Sequence, residues 1–208
     1  MPIKLNNERC PGKNLRLLGG KPLLHYQLEN LISVSEIDSV NVYCSSEEVI
    51  PHLIQGVHFV KRPSVLDLPT SNFSQIFECF MEECDADIYV FDHATAPFVS
   101  VGTIKECLQA VAGGKYDSAF CAVKIQDFLW QDGRPLNFDA ANLPRSQDIK
   151  PIYRETSGVY VFTKEVFRKH HRRIGDNPYI KEVSFREAVD INNPEDFQLA
   201  EILLDTNI

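Results

Sequence analysis

Pro2-Ile3-Lys4-Leu5-Asn6-Asn7-Glu8-Arg9-Cys10-Pro11-Gly12-Lys13-Asn14 sets three cations along a short stretch that also holds asparagines, a proline and a glycine. Lys4, Arg9 and Lys13 can each answer an anionic oxygen with a charge-assisted hydrogen bond or a point charge, and Arg is the better fork for paired oxygens. Gly12 lets the backbone approach a ligand closely. The pattern is that of a loop built to hold polyphosphate, and its bland alternative is a solvated basic segment. It is neither G-x-x-x-x-G-K-[ST] nor G-x-G-x-x-G, so the two commonest phosphate-binding folds lose their main support.

Downstream, Leu23, Leu24, Leu28, Leu31 and Ile32 recur at helical spacing behind Pro22, which predicts a helix over 21–34 directly after the loop. Strands are expected at 40–45, 57–60, 88–91, 118–123, 158–162 and 183–191. Helices are expected at 72–83, at 103–111 before Gly113 and Gly114, and from Pro194 through Leu204. Alternating strands and helices build a mainly parallel sheet with helices on both faces. Gly133, Pro135, Pro144 and Pro151 punctuate 124–155, which reads as an excursion from the sheet. The strand that should precede the loop has only Met1, Pro2 and Ile3 to form it, so it is expected to be short or the chain to begin internally.

The 208 residues, 44% hydrophobic and 24% charged, suffice for one sizeable core. A net charge of −8 argues against nucleic acid or an anionic membrane as partner. No apolar run reaches membrane-span length and no signal peptide is visible, so a cytoplasmic protein is expected. The six cysteines (Cys10, Cys44, Cys79, Cys84, Cys107 and Cys121) form no C-x-x-C pair, which predicts buried free thiols and no structural zinc.

Lys4 to Asn14 resembles the N-terminal signature of the cytidylyltransferases that activate acidic keto-sugars, the acylneuraminate and 3-deoxy-manno-octulosonate enzymes. Three further stretches resemble that family in order. Asp92-His93-Ala94-Thr95-Ala96-Pro97 stands where the family has Q-P-T-S-P, Leu143 to Tyr160 resembles its sugar-facing R-x-Q and Y-x-x-N-G-x-Y region, and Asp190-Ile191-Asn192 with Asp196-Phe197 is similar to D-I-D-T-x-x-D-F. Lys61-Arg62-Pro63 also resembles an R-P stretch of that family.

The resemblance implies a three-layer α/β/α nucleotidyltransferase fold (Rossmann-like, GT-A-type) as one domain over 1–208, with 124–155 serving sugar binding and dimerisation. The implied reaction joins CTP and an acidic, sialic-acid-like sugar into a CMP-sugar and pyrophosphate for surface glycan synthesis. It casts Lys13 and Arg9 as catalytic cations and Lys4, Asn6, Asn7, Asn14, Arg62, His93 and Thr95 as nucleotide contacts. Arg145, Gln147 and Tyr153 fall to the sugar, while Asp190 and Asn192 would hold Mg²⁺ from one face of a strand end. Lys4 stands where the family has Arg, and Asn192 where it has a second carboxylate. A non-catalytic nucleotide- or sugar-binding relative, or a nucleotidyltransferase using another sugar or nucleotide, is the alternative.

Overall fold

The computed structural model describes residues 1–206. Its elements run β1 (Pro2–Ile3), a small hairpin of β2 (Leu17–Leu18) and β3 (Lys21–Pro22), α1 (Leu23–Ile32), β4 (Val40–Cys44), β5 (Val57–Lys61), α2 (Phe73–Glu83), β6 (Ile88–Asp92), α3 (Val101–Ala112) and β7 (Ser118–Ile125). A second small hairpin follows as β8 (Trp130–Gln131) and β9 (Arg134–Pro135), then β10 (Ile152–Thr163), α4 (Lys164–His170), β11 (Pro178–Glu182) and α5 (Pro194–Asp205).

Two groups of strands form the central layer. β4 pairs in parallel with β1 and with β5, while β7 pairs in parallel with β11. β10 runs antiparallel between β6 and β7, and is the one reversed strand in an otherwise parallel arrangement. Period-two alternation divides the layer into faces. Val159 and Val161 of β10 join the cluster built with α1 and α3, whereas Tyr160 and Phe162 turn to the other face. There they meet Phe77 of α2, Tyr89 and Phe91 of β6, and Val166 and Phe167 of α4. This gives the expected helix, sheet, helix layering. A third cluster packs α5 through Phe197 and Ala200 onto Leu18, Leu23 and Ile191.

Helix ends follow their sequence signals. Asn72 and Gln75 form a reciprocal capping box on α2, and Asn193 with Asp196 does the same on α5 behind Pro194. Pro22 sits at the N-cap of α1, one step outside the first turn. β1 is as short as expected and covers only Tyr43 and Cys44 of β4. Beyond it a cleft of about 820 Å³, lined by Tyr43, Phe77, Phe80, Tyr89 and Phe91, separates β4 from β6. The Met1 amine there donates to the Asn41 carbonyl at 2.9 Å, and burial pushes it down to about 6.

Two expectations are corrected. Residues 183–191 are not a strand: β11 lies earlier, at Pro178–Glu182, and the chain then coils on itself. Ala188 and Val189 donate their amides to the Ser184 and Arg186 carbonyls, and the Glu187 amide to Ser184 Oγ, so local turn bonds replace the ladder. β10 begins at Ile152 rather than 158, with an irregularity between Glu155 and Tyr160, so the excursion closes earlier than its proline content implies. All six cysteines are free; Cys10, Cys44, Cys107 and Cys121 are buried, whereas Cys79 and Cys84 are half-buried.

Phe77 sits 4.7 to 4.9 Å, ring to ring, from Tyr89, Phe162 and Phe167 and is 3% exposed, so it joins α2 to three other elements. Phe77→Ala is expected to lower stability by about 3 to 5 kcal/mol, read from urea unfolding with an unchanged m-value.

Candidate active site

Three chain segments meet where β1 and β6 end, the position at which open α/β sheets place ligands. The first is the loop after β1. Gly12, at φ +66, lets it turn, and the amides of Leu15 and Arg16 donate to the Gly12 carbonyl at 3.0 and 3.1 Å. Asn14 is buried and donates from Nδ2 to the Lys4 carbonyl at 2.9 Å, so it closes the loop on itself.

The second segment is 190–192. Lys13 Nζ donates to the Ile191 carbonyl at 2.7 Å, and Arg9 Nη2 donates to Asn192 Oδ1 at 2.7 Å. Asn192 Nδ2 in turn donates to Asp190 Oδ2 at 2.7 Å. Burial lowers the Lys13 pKa, and the Asp190 carboxylate opposes that fall. Asp190 Oδ1 is buried without a hydrogen-bond partner, so one carboxylate oxygen is already desolvated and unspent. Asp190 and Asn192 lie in the turn before α5, not on the strand expected there; their side chains meet through their own amide-carboxylate bond, and Asp196 Oδ2 fixes the turn by accepting from the Asn192 and Asn193 backbone amides at 2.9 and 2.8 Å.

The third segment, after β6, is tied to the second by the Ile191 amide, which donates to the Thr95 carbonyl at 2.8 Å. His93 Nδ1 lies 2.6 Å from the Ser157 carbonyl, and its backbone amide donates to the Gly158 carbonyl. Desolvation, then the nearby Arg173 charge, pushes His93 down to about 4, so the imidazole is neutral at pH 7. Its Nδ1 then donates to Ser157, which leaves Nε2 as an acceptor. Asp92 beside it is fully buried with neither carboxylate oxygen partnered; burial raises its pKa well above the usual range, and the charged group near it is the Met1 amine.

The remaining expected site residues make contacts of other kinds. Arg62 is 3% exposed and ion-paired through Nη2 with Asp67, which Ser45 also bonds, so it holds the turn after β5, while its Nε is buried without a hydrogen-bond partner. Arg145 is a surface side chain held bidentately by Asp148, at 2.6 and 3.1 Å. The Gln147 carbonyl accepts from Gln126, and Tyr153 is exposed near the start of β10. Lys4 and Asn7 are half-buried and Asn6 is exposed; Asn7 Oδ1 is buried and unpartnered. Arg173, not singled out from the sequence, stands over the Tyr160 ring at 3.7 Å beside His93; the basic run 168–173 is the signal that could have found it.

The α/β/α layering is that of a nucleotidyltransferase-type fold, and at its strand ends the cation-rich loop is joined to the turn that carries Asp190. The family profile described as "Cytidylyltransferase" matches residues 2–207, and the chain belongs to that family. It is 26% identical over 201 residues to N-acylneuraminate cytidylyltransferase A of Danio rerio, a match covering 92% of this chain and 46% of that protein. It is 22% identical over 223 residues to a pseudaminic acid cytidylyltransferase of Campylobacter jejuni, covering 100% of this chain and 95% of the relative. The chain spans about half or less of the length of the N-acylneuraminate cytidylyltransferases it matches. Among solved structures, a CMP:2-keto-3-deoxy-manno-octonic acid synthetase complexed with CTP superposes with a TM-score of 0.75 at 16% identity, covering 100% of this chain and 97% of that one. A 4-diphosphocytidyl-2C-methyl-D-erythritol synthase from Anaerococcus prevotii gives 0.69 at 13% identity, covering 99% and 95%. These likenesses establish the fold.

The neutral His93 carries a stability consequence. The unfolded chain takes up a proton below about 6.5, whereas the folded protein resists until about 4, so stability falls as pH drops through that window. Relative to wild type, His93→Gln is expected to lose an acid-sensitive component on the order of 3 kcal/mol. Urea midpoints compared at pH 7.5 and pH 4.5 check this; identical pH dependence in the two proteins would count against it.

Proposed function

We propose that the protein transfers the cytidylyl group of CTP to the anomeric hydroxyl of an acidic keto-sugar, giving a CMP-sugar and pyrophosphate. The observation that carries this reading is the junction of the phosphate-type loop with the 190–192 turn through Lys13 and Arg9. The names of the matched relatives, which cover neuraminate, pseudaminate and manno-octulosonate, set the acceptor class.

In this reading the acceptor hydroxyl oxygen bonds to the α-phosphorus, the bond from that phosphorus to the α,β-bridging oxygen breaks, and pyrophosphate leaves as the hydroxyl proton is lost to solvent. The step needs positioning and charge neutralisation rather than a nucleophilic side chain. Lys13 and Arg9 neutralise charge building on the phosphates, with Lys4 as a further point charge. The amide groups of Asn6 and Asn7 face the nucleotide, Asn14 keeps the loop closed, and neutral His93 with Thr95 borders the base or ribose. Arg62 supports from behind through Asp67.

Mg²⁺ fits the donor set in a limited way. Asp190 Oδ1 is a free, desolvated carboxylate oxygen, whereas Asn192 Oδ1 already accepts from the Arg9 guanidinium, and no group of three or more His, Cys, Asp or Glu able to hold a metal occurs among the described residues. An ion held by one carboxylate must take its other ligands from phosphate oxygens and water, as Mg²⁺ commonly does. When bound it would add positive charge at the phosphates. Asn192 as a neutral neighbour also favours a second reading, a nucleotide-binding relative without turnover.

The excursion supplies the acceptor side and a homodimer contact: Trp130, Leu136 and Leu143 are 60%, 50% and 67% exposed there. No helix among the described residues is long and apolar enough to cross a membrane, and work in the cytoplasm, where CTP is made, fits this chemistry.

Pyrophosphate release from CTP and Mg²⁺ with a panel of acidic keto-sugars tests the reading. Lys13→Ala and Asp190→Ala are each expected to lower kcat/KM by on the order of 10²-fold. Calorimetric CTP uptake with no pyrophosphate from any acceptor would establish the binder instead.

A further inference from the structure

The run Arg168-Lys169-His170-His171-Arg172-Arg173 closes α4 and opens the loop to β11. Most of its members face outward. Asp176 takes Arg172 at 2.6 Å, His170 at 3.1 Å and Lys169 at 3.4 Å. His171, in the left-handed region at φ 50 and ψ 35, turns the chain, and Arg173 then points back over the sheet. Its guanidinium lies 3.7 Å from the Tyr160 ring centroid, with the Phe73 and Phe91 rings at 5.5 and 5.9 Å. Three elements distant in sequence thus build an aromatic shelf for one cation.

The shelf adjoins the site. The His93 ring is 5.0 Å from that of Phe91 and 6.1 Å from that of Tyr160, and His93 feels both the Arg173 and the Asp190 charges. Arg173 is held but not exhausted. Only Nη2 donates among the described residues, to Tyr160 Oη at 2.9 Å and Glu155 Oε1 at 3.3 Å, and the side chain is 29% exposed. The Nε–H and the two Nη1 hydrogens remain as single donors for an anion.

We propose that Arg173 binds the carboxylate of the acceptor sugar and so sets the preference for acidic acceptors. This rests on the cytidylyltransferase reading above. In that reading Lys4, Arg9 and Lys13 answer the triphosphate, so a further fixed cation next to His93 matches the remaining anion of the reaction. Arg145, the cation first expected in this role, is 73% exposed and has its Nε/Nη2 edge on Asp148, whereas Arg173 meets Glu155 through Nη2 alone and is 29% exposed. A pre-stacked Arg173 loses less side-chain freedom on binding than a solvated Arg145 does.

The test compares wild type, Arg173→Lys and Arg173→Gln, with thermal unfolding as a folding control. The acceptors are N-acetylneuraminate, 3-deoxy-manno-octulosonate and their carboxamides. In Arg173→Gln the KM for the acids is expected to rise 10- to 100-fold while the KM for CTP changes less than twofold, with Arg173→Lys between. The carboxamides should be poor substrates that wild type and variant treat alike. Equal rises in both KM values, or an unchanged acid KM, would overturn the assignment while leaving the cytidylyltransferase reading intact. If wild type turns over no acid, that reading fails by itself, and calorimetric titration with the two acids decides Arg173. Weaker uptake by Arg173→Gln sustains it; equal uptake, or none by wild type, overturns it.

Discussion

Lys13 reaches across to the backbone of Ile191, and Arg9 to the side chain of Asn192, from a loop at the other end of the sequence. Everything at the site hangs on that closure. Ile191 is itself fully buried between α5 and the hairpin, and its amide is taken by the Thr95 carbonyl. The turn that carries Asp190 is therefore pinned by packing on one side and by a cation on the other. Partial burial keeps Lys13 short of water, so a charge answered there is answered strongly. In the proposed reading, side chains already held in place lower the ordering cost of taking up polyphosphate.

The loop and the order of elements were legible in the sequence because both rest on local chemistry. Gly12 and Pro11 punctuate, the three cations stand out against an acidic chain, and 3.6- and 2-residue periods mark α1, α2, β6 and β7. The 183–191 segment was not legible. Its alternating Val183, Phe185 and Val189 imitate a strand, yet Ser184 offers its carbonyl and hydroxyl to amides four and three residues on and wins locally. Asp190 and Asn192 therefore come together for a different reason from strand alternation, through a direct amide-carboxylate bond. The pairing was readable; its cause was not.

Cations show the same limit from another side. Sequence motif singled out Arg62 and Arg145, and both are committed to a neighbouring aspartate, Asp67 and Asp148. Short-range partners of this kind sit three to five residues away and can be suspected from sequence spacing, but which cation they capture depends on the turn. Arg173 illustrates the converse. Its neighbours Phe73, Phe91 and Tyr160 belong to α2, β6 and β10, and only the left-handed turn at His171 brings it to them. No spacing in the chain announces that shelf.

The central claim is that the N-terminal loop and the 190–192 turn act as one polyphosphate grip. Hydrogen exchange followed on both segments as CTP is added tests it most directly. The account predicts that amides of 5–15 and of 190–196 slow together, with one midpoint, and that CMP at the same concentration slows neither. Protection of one segment alone, or equal protection by CMP, would contradict it.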